Sequence, residues 1–121
     1  MATAVTVVDD SFLSRKMLIK ALPPDWDVEI TQASNGREAL DACRAGKAQV
    51  MFLDLTMPDM DGYQVLETLQ KESMPTTVIV VSADIQPEAQ QRVKQLGAIA
   101  FIEKSIKINQ IRTVLEEAGI L

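Results

Sequence analysis

Histidine is absent from this sequence of 121 residues, and cysteine occurs only once. Without imidazole the chain cannot build a Ser-His-Asp triad, a His-ligated zinc site or a phosphohistidine of its own. The single cysteine, Cys43, cannot form a disulfide within the chain, which favours a reducing compartment, and its apolar neighbours indicate a small buried side chain. The chemistry of this protein therefore has to use carboxylates, hydroxyls or amines.

Long apolar segments and an excess of positive charge are also lacking. The longest aliphatic run, residues 78–81, is far shorter than the ~20 residues of a membrane helix, and the first residues carry no signal-peptide pattern. Lys and Arg number 12 against 17 Asp and Glu, a net charge of −5, which disfavours binding to a nucleic-acid backbone. We therefore expect a cytoplasmic protein that binds neither membrane nor nucleic acid.

Short apolar runs alternate with segments of helical spacing along the whole chain. Five of these runs predict strands, at residues 5–8, 28–31, 50–53, 77–81 and 99–102. The run 28–31 alternates between apolar and polar residues, as in an edge strand, whereas the continuous runs suit strands covered on both faces. The length and this alternation predict one α/β domain with a doubly wound, five-stranded parallel sheet.

Apolar residues at helical spacing follow each predicted strand. The expected buried helix faces are Leu13, Met17, Leu18, Ala21 and Leu22, then Ala39, Leu40 and Cys43, then Val65, Leu66 and Leu69, then Ala89, Val93 and Leu96, and finally Ile108, Ile111, Leu115 and Ala118. The expected start and stop signals of the helices are Pro23–Pro24, Asn35–Gly36, Asp61–Gly62, Pro87 and Gly97.

Polar residues follow the predicted strands at the carboxyl edge, where open α/β sheets bind their ligands. The residues are Asp9 and Asp10 after the first run, Asp54 after the third, Ser82 after the fourth and Lys104 after the fifth. Taken singly, the acids and the serine could be turn or capping residues and the lysine an exposed one. Together, three carboxylates repel one another and require a cation, and an all-oxygen site favours Mg²⁺.

These residues stand in motifs that resemble the CheY-like receiver domains of two-component response regulators. The motifs are Val7-Val8-Asp9-Asp10-Ser11, Asn35 to Leu40, Leu53 to Gly62, Val81-Ser82-Ala83 and Leu96 to Lys104. They extend over essentially the whole chain. The resemblance implies a flavodoxin-like (βα)5 fold with strand order 2-1-3-4-5, and a single receiver domain over residues 1–121 with no output domain.

The resemblance also implies a phosphoryl acceptor, not an enzyme, with autophosphatase activity only. Asp54 would accept the phosphoryl group, and Ser82 and Lys104 would bind its oxygens. Mg²⁺ would be held by these ligands: Asp9, Asp10, Asp54 and the backbone carbonyl of Thr56. Asp54 at its ordinary pKa is ionised near neutral pH, so the missing histidine base is no obstacle.

A conformational switch and a set of tuning residues follow from the same resemblance. Once the aspartate is phosphorylated, Ser82 would move toward it, and Phe101 would occupy the space that becomes available. Thr56 and Asp84 would flank the phosphoryl group and set its lifetime. Ser105 stands where receivers have proline, which leaves open whether the preceding peptide bond is cis or trans.

The implied output surface consists of the fourth helix, the fifth strand and the fifth helix. Its polar and basic residues are Gln90, Gln91, Lys94, Lys107, Gln110 and Arg112. The implied partners are a sensor histidine kinase, a downstream target protein and a phosphatase, with the chain itself a monomer or weak dimer.

We expect a stand-alone response regulator of the chemotaxis type. One alternative is a phosphorelay shuttle that passes the phosphoryl group to a His phosphotransfer protein. Another is a haloacid dehalogenase-like phosphohydrolase, which also uses a strand-end Asp, a hydroxyl, a Lys and Mg²⁺. Such hydrolases carry a second Asp two residues after the nucleophile, where this chain has Thr56.

Overall fold

Strands and helices alternate along the chain, as the sequence indicates. The structure, a computed structural model, describes residues 2–107 and 109–121. The strands within these residues are β1 (Thr3–Val8), β2 (Val28–Ala33), β3 (Val50–Leu53), β4 (Thr77–Ser82) and β5 (Ala100–Glu103). The helices are α1 (Phe12–Ala21), α2 (Gly36–Arg44), α3 (Gly62–Lys71), α4 (Pro87–Gln95) and α5 (Gln110–Glu117).

The strands form one parallel sheet in the order β2-β1-β3-β4-β5. This order and the doubly wound α/β class were predicted and are confirmed. The alternating run indeed lies at an edge as β2. The continuous run 99–102, which indicated a strand covered on both faces, instead begins at Ala100 and forms the other edge, with Ile99 49% exposed.

Two apolar layers cover the sheet, one on each face. On one face α2, α3 and α4 pack against strand residues such as Met51, Leu53 and Val80. On the other face α1 and α5 pack against alternate strand residues such as Phe52 and Ile79. Successive side chains of a strand point to opposite faces, so the continuous apolar runs supply both layers.

The buried face of α1 differs from the predicted one. Leu18 and Leu22 are buried, whereas Leu13 is 63% and Met17 59% exposed, and Ala21 is exposed as well. Residues four apart form one stripe of a helix, so Leu13, Met17 and Ala21 share a stripe beside the one that faces the sheet. The spacing alone did not distinguish the two stripes. In α5, Ile111 and Leu115 are buried and Ala118 is exposed, while Ile108 lies outside the described residues.

The start signals of the helices fall where they were expected. The Asn35 side chain accepts the backbone N–H of Glu38 at 2.9 Å, and Asp61 forms a capping box with Gln64. Gly62 is required by packing, because a Cβ there would lie 2.6 Å from the carbonyl oxygen of Asp54. This close approach brings the start of α3 directly against the end of β3. In the described part of the chain, no helix has the length and apolar character needed to span a membrane.

Candidate functional site

The polar residues predicted at the carboxyl edge of the sheet do converge. Asp9, Asp10 and Asp54 each place one carboxylate oxygen within 4.8 Å of the others. The Lys104 ammonium lies 2.7 Å from Asp9 and 3.4 Å from Asp54. The backbone fixes this geometry, because the N–H of Asp54 donates to the carbonyl of Val8 at 3.0 Å. Three acids and one amine, which follow the strands β1, β3 and β5, therefore share one small site.

Asp9 is held from several sides. One carboxylate oxygen accepts the backbone N–H of Ser11 at 2.9 Å, and the other accepts Lys104. Ser11, not an aspartate, is the N-cap of α1, where its side chain accepts the N–H of Ser14. The capping interpretation thus applies to Ser11 and leaves the carboxylates of Asp9 and Asp10 for the site.

The electrostatics of Asp54 differ from the expectation of an ordinary carboxyl. The residue is only 6% exposed, and burial, followed by the negative charge of Asp9, raises its pKa from 3.8 to about 6. Lys104 opposes this rise. Burial lowers the pKa of Lys104, but the contacts of the ammonium with Asp9 and Asp54 outweigh burial. The pKa of Lys104 is therefore raised overall, and the amine stays charged.

The donor set fits a hard divalent cation. Carboxylate oxygens are the ligands that Mg²⁺ prefers, and Asp10 is exposed, which leaves the cluster open to solvent. With all three acids ionised, the one ammonium in contact leaves two negative charges uncompensated. Burial first, and then the negative charge of Asp9, raises the pKa of Asp54, so its ionised form is costly in this cluster. A dication would compensate the excess negative charge.

Ser82 lies at the end of β4, next to the acid cluster in the sheet. Leu53 on β3 pairs with Val80 on the adjacent strand β4. Asp54 lies one residue after Leu53, and Ser82 lies two residues after Val80. The Ser82 side chain is buried, and its Oγ accepts the backbone N–H of Asp84 at 3.1 Å. It does not cap α4, whose N-cap is Gln86 and has no side-chain cap bond.

The remaining predicted residues lie around this edge. Thr56 is exposed in the loop between β3 and α3. Asp84 is exposed in the loop before α4, where its carboxylate accepts the N–H of Gln86 at 3.1 Å. Phe101 is half-buried, packs against the core layer on the α4 side and lines an open cavity between α4 and β5. The Lys104–Ser105 peptide bond, which the sequence left open, is cis.

Of the six polar and basic residues predicted for an output surface, four are exposed. Gln90, Gln91 and Lys94 are exposed on α4, and Lys107 is exposed after β5. Arg112 is instead bound to Asp25 in the loop between α1 and β2. Gln110 is half-buried, and its side-chain oxygen accepts the backbone N–H of Lys107 at 3.2 Å. Arg112 therefore faces α1, because α5 packs on the same side of the sheet as α1.

One residue near the site escaped the sequence analysis. Arg15 donates from Nη1 to the backbone carbonyl of Asp9 at 2.6 Å. Arg15 lies four residues after the N-cap Ser11, one helical turn, so its long side chain can reach back to the loop before α1. The signal available in the sequence was a basic residue, Arg15, in the first turns of the helix that follows Asp9 and Asp10.

The fold and the site together define a doubly wound α/β protein with a cluster of three acids at the carboxyl edge of its sheet. The family model of the response regulator receiver domain matches residues 5–116. The chain belongs to this family, the receiver domains of two-component response regulators, which confirms the resemblance seen in the motifs. Domains of this family accept phosphoryl groups and interact with histidine kinases and downstream effectors.

Proteins that differ from one another in function contain a domain similar to this chain. The chain is 36% identical over 116 residues to a protein-glutamate methylesterase/protein-glutamine glutaminase of Geobacter sulfurreducens, covering 93% of this chain and 31% of that protein. It is 33% identical over 114 residues to the probable transcriptional regulatory protein NarL of Mycobacterium tuberculosis, covering 93% of this chain and 53% of that protein. The chain therefore spans 31% of the length of the first of these curated relatives and 53% of the second.

Solved structures give the same fold from end to end. The receiver domain of NarL from Mycobacterium tuberculosis superposes with a TM-score of 0.87 at 32% identity, covering 98% of each chain. The chemotaxis protein CheY4 of Vibrio cholerae superposes with a TM-score of 0.85 at 27% identity, covering 97% of this chain and 98% of that one. The flavodoxin-like (βα)5 architecture is thus confirmed.

Proposed function

We propose that Asp54 is the phosphorylation site and that it accepts a phosphoryl group from the phosphohistidine of a sensor kinase. The observation that carries this proposal is the position of Asp54, buried between the carboxylate of Asp9 and the ammonium of Lys104. Phosphoryl transfer needs a positioned nucleophile and positive charge around the transferred group, with little other covalent chemistry. Asp54 and Lys104 supply both.

The transfer is a nucleophilic displacement at phosphorus, with the kinase imidazole as the leaving group. A carboxylate oxygen of Asp54 attacks the phosphorus, the O–P bond forms, and the N–P bond to the kinase imidazole breaks. The imidazole nitrogen keeps the bonding pair and is protonated from solvent. Lys104 binds one phosphoryl oxygen and the Ser82 hydroxyl donates to another.

The acid cluster would hold Mg²⁺ beside the acceptor. The proposed ligands are the carboxylates of Asp9, Asp10 and Asp54 and the backbone carbonyl of Thr56. When bound, Mg²⁺ supplies positive charge that stabilises the phosphoryl oxygens. The chain's own residues orient the acceptor: Asp9 and Lys104 hold each other at 2.7 Å, and Lys104 fixes the carboxylate of Asp54.

Phosphorylation would change the surface through Ser82. Its Oγ now accepts the N–H of Asp84. Turning the hydroxyl toward the phosphoryl group frees the loop before α4, and the half-buried Phe101 can move into the space. The exposed polar face of α4 next to it then presents a different surface to a target protein. Thr56 and Asp84, in the loops beside Asp54 and Ser82, would tune attack by water and hence the lifetime of the signal.

We propose a chemotaxis-type role as a stand-alone response regulator that acts in the cytoplasm as a monomer or weak dimer. Support comes from the likeness to CheY4, which is described as a chemotaxis protein. The partners would be a histidine kinase, a target protein and a phosphatase. The domain would have autophosphatase activity and no other catalysis. The mass of the protein isolated from its source tests whether the receiver domain stands alone.

The decisive experiment is phosphorylation by acetyl phosphate with Mg²⁺, followed by mass spectrometry. The unchanged protein and Asp59→Asn, an exposed acid in the same loop, should each gain one phosphoryl group. Asp54→Asn should gain none, because it lacks the nucleophile. Equal modification of Asp54→Asn would refute the assignment. Sustained turnover of small phosphomonoesters would support the dehalogenase-like alternative, and transfer onto a His-containing protein would support the shuttle.

A further inference from the structure

Arg15 is bound to the loop that carries two of the three acids. Its Nη1 donates to the carbonyl oxygen of Asp9 at 2.6 Å, and its Nε donates to Oε1 of Gln32 at 2.9 Å. A guanidinium is planar and presents its donors in a fixed fork, so two acceptors in different directions fix its plane. Arg15 thereby connects α1, the loop after β1 and the edge strand β2.

The carbonyl that Arg15 binds belongs to the peptide group between Asp9 and Asp10. A peptide group is planar and rigid, so fixing its oxygen fixes the direction in which the next residue leaves. The N–H of Asp9 is already held by the carbonyl of Ala33 on β2 at 3.1 Å. Both sides of the Asp9 main chain are thus anchored to β2, one directly and one through Arg15 and Gln32.

The carboxylate of Asp10 has less support than that of Asp9. Asp9 is buried and its two carboxylate oxygens accept bonds from Ser11 and Lys104, whereas Asp10 is exposed. The direction of the Asp10 side chain therefore depends on the peptide group that precedes it. This is the peptide group that Arg15 holds.

We propose that Arg15 is a positioning residue for the cation site: by fixing the Asp9–Asp10 peptide group it sets the separation of the two carboxylates that receive Mg²⁺. The inference rests on the proposed function, since it takes Mg²⁺ as the ligand of the acid cluster. Arg15 acts through the main chain and does not itself touch the ion.

Charge and positioning predict opposite effects, which makes the inference testable. Arg15 is a cation close to a cation site, so its positive charge alone opposes Mg²⁺ binding. If charge were its only influence, removing it would tighten binding. If it positions the ligands, removing the guanidinium fork weakens binding, as loss of residues that orient metal ligands does, by about 10- to 100-fold.

The experiment measures Mg²⁺ binding by isothermal titration calorimetry at constant pH and ionic strength. The main variant is Arg15→Lys, which keeps the charge but cannot bind both acceptors with a planar fork. We expect its Kd for Mg²⁺ to rise by about tenfold. Arg15→Met should also bind more weakly than the unchanged protein. The matched control is Lys16→Met, which removes a neighbouring exposed charge and should bind equally well or more tightly.

A second readout separates positioning from a general loss of structure. With acetyl phosphate as donor, Arg15→Lys should need more Mg²⁺ for half-maximal phosphorylation, yet reach the same maximal rate at saturating Mg²⁺. Gln32→Ala, which removes the other anchor, should shift the Mg²⁺ dependence in the same direction and keeps the test open if an Arg15 variant fails to fold. Unchanged Mg²⁺ affinity in Arg15→Lys would overturn the inference alone, whereas absence of Mg²⁺ binding by the unchanged protein would overturn the proposed cation site too.

Discussion

Replacing Asp54 by Asn should stabilise the metal-free protein at neutral pH, although the same change removes the proposed phosphorylation site. The reason lies in the protonation of Asp54. In the unfolded chain its pKa is the ordinary 3.8, and in the folded protein burial and the charge of Asp9 raise it to about 6. The folded protein therefore binds the proton more tightly, and the ionised form is penalised by folding.

The two pKa values of Asp54 determine at which pH its ionisation destabilises the folded protein. Below pH 3.8 the carboxyl is protonated in both states and imposes no penalty. As the pH rises toward 6 the penalty develops, and above about 6 it is complete. At about 1.4 kcal/mol for each pKa unit, the gap between 3.8 and about 6 corresponds to about 3 kcal/mol.

Asn should recover most of this free energy. It is neutral at every pH and nearly the same size, but its amide must still be satisfied beside Asp9 and Lys104, which reduces the gain to about 2 kcal/mol. For a chain of this length such a gain raises the Tm by roughly 6 to 10 °C. The advantage should shrink steadily as the pH falls from 7 toward 4, because the protonated Asp54 of the unchanged protein then resembles Asn.

The assay is thermal and urea unfolding in EDTA across this pH range. The matched control is Asp27→Asn, an exposed acid before β2 at the opposite end of the sheet, which should change the Tm by little at any pH. Adding Mg²⁺ should stabilise the unchanged protein more than Asp54→Asn, since only the former keeps the three acids. If Asp54→Asn were no more stable than the unchanged protein at pH 7 in EDTA, the electrostatic account of the site would be wrong.

Two further predictions concern the surroundings of Asp54. Lys104→Met removes the ammonium that lies 2.7 Å from Asp9, so the metal-free protein should lose about 2–3 kcal/mol in urea unfolding at pH 7, while the exposed control Lys107→Met should lose little. Gly62→Ala places a Cβ 2.6 Å from the carbonyl of Asp54, and the thermal unfolding should show a loss of about 2 kcal/mol. Stability unchanged in Gly62→Ala would mean that the start of α3 can shift at no cost.

The strand ends explain why so much of the site was visible in the sequence. The carboxyl ends of parallel strands meet at one edge, and β1 and β3 are adjacent in the sheet, so the acids directly after the runs 5–8 and 50–53 come close together. A lysine after the fifth run reaches the same edge, although β5 lies two strands from β3, because its side chain is long. The position of a residue relative to a strand end can be read from the sequence, and it was enough to predict these site residues.

Features that depend on side-chain direction and burial could not be predicted in this way. Two stripes of α1 have nearly equal apolar content, and only the packing shows that Leu18 and not Met17 faces the sheet. Arg112 has the spacing of a surface residue, yet the approach of α5 to the loop after α1 pairs it with Asp25. The raised pKa of Asp54 depends on how deeply the end of β3 is covered, which no local pattern records.

The burial of Asp54 balances two requirements of the phosphoryl acceptor that we propose it to be. A carboxylate fully surrounded by water is strongly hydrated and has to lose that shell before it attacks, whereas one buried without a cation is protonated at neutral pH and cannot attack. With Lys104 at 3.4 Å, the pKa of Asp54 rises only to about 6, so at pH 7 about nine in ten molecules keep the nucleophilic carboxylate. The excess negative charge of the cluster then makes a divalent cation the natural occupant. Burial of Asp54, followed by the charge of Asp9, destabilises the metal-free site, and the same negative charge attracts a cation.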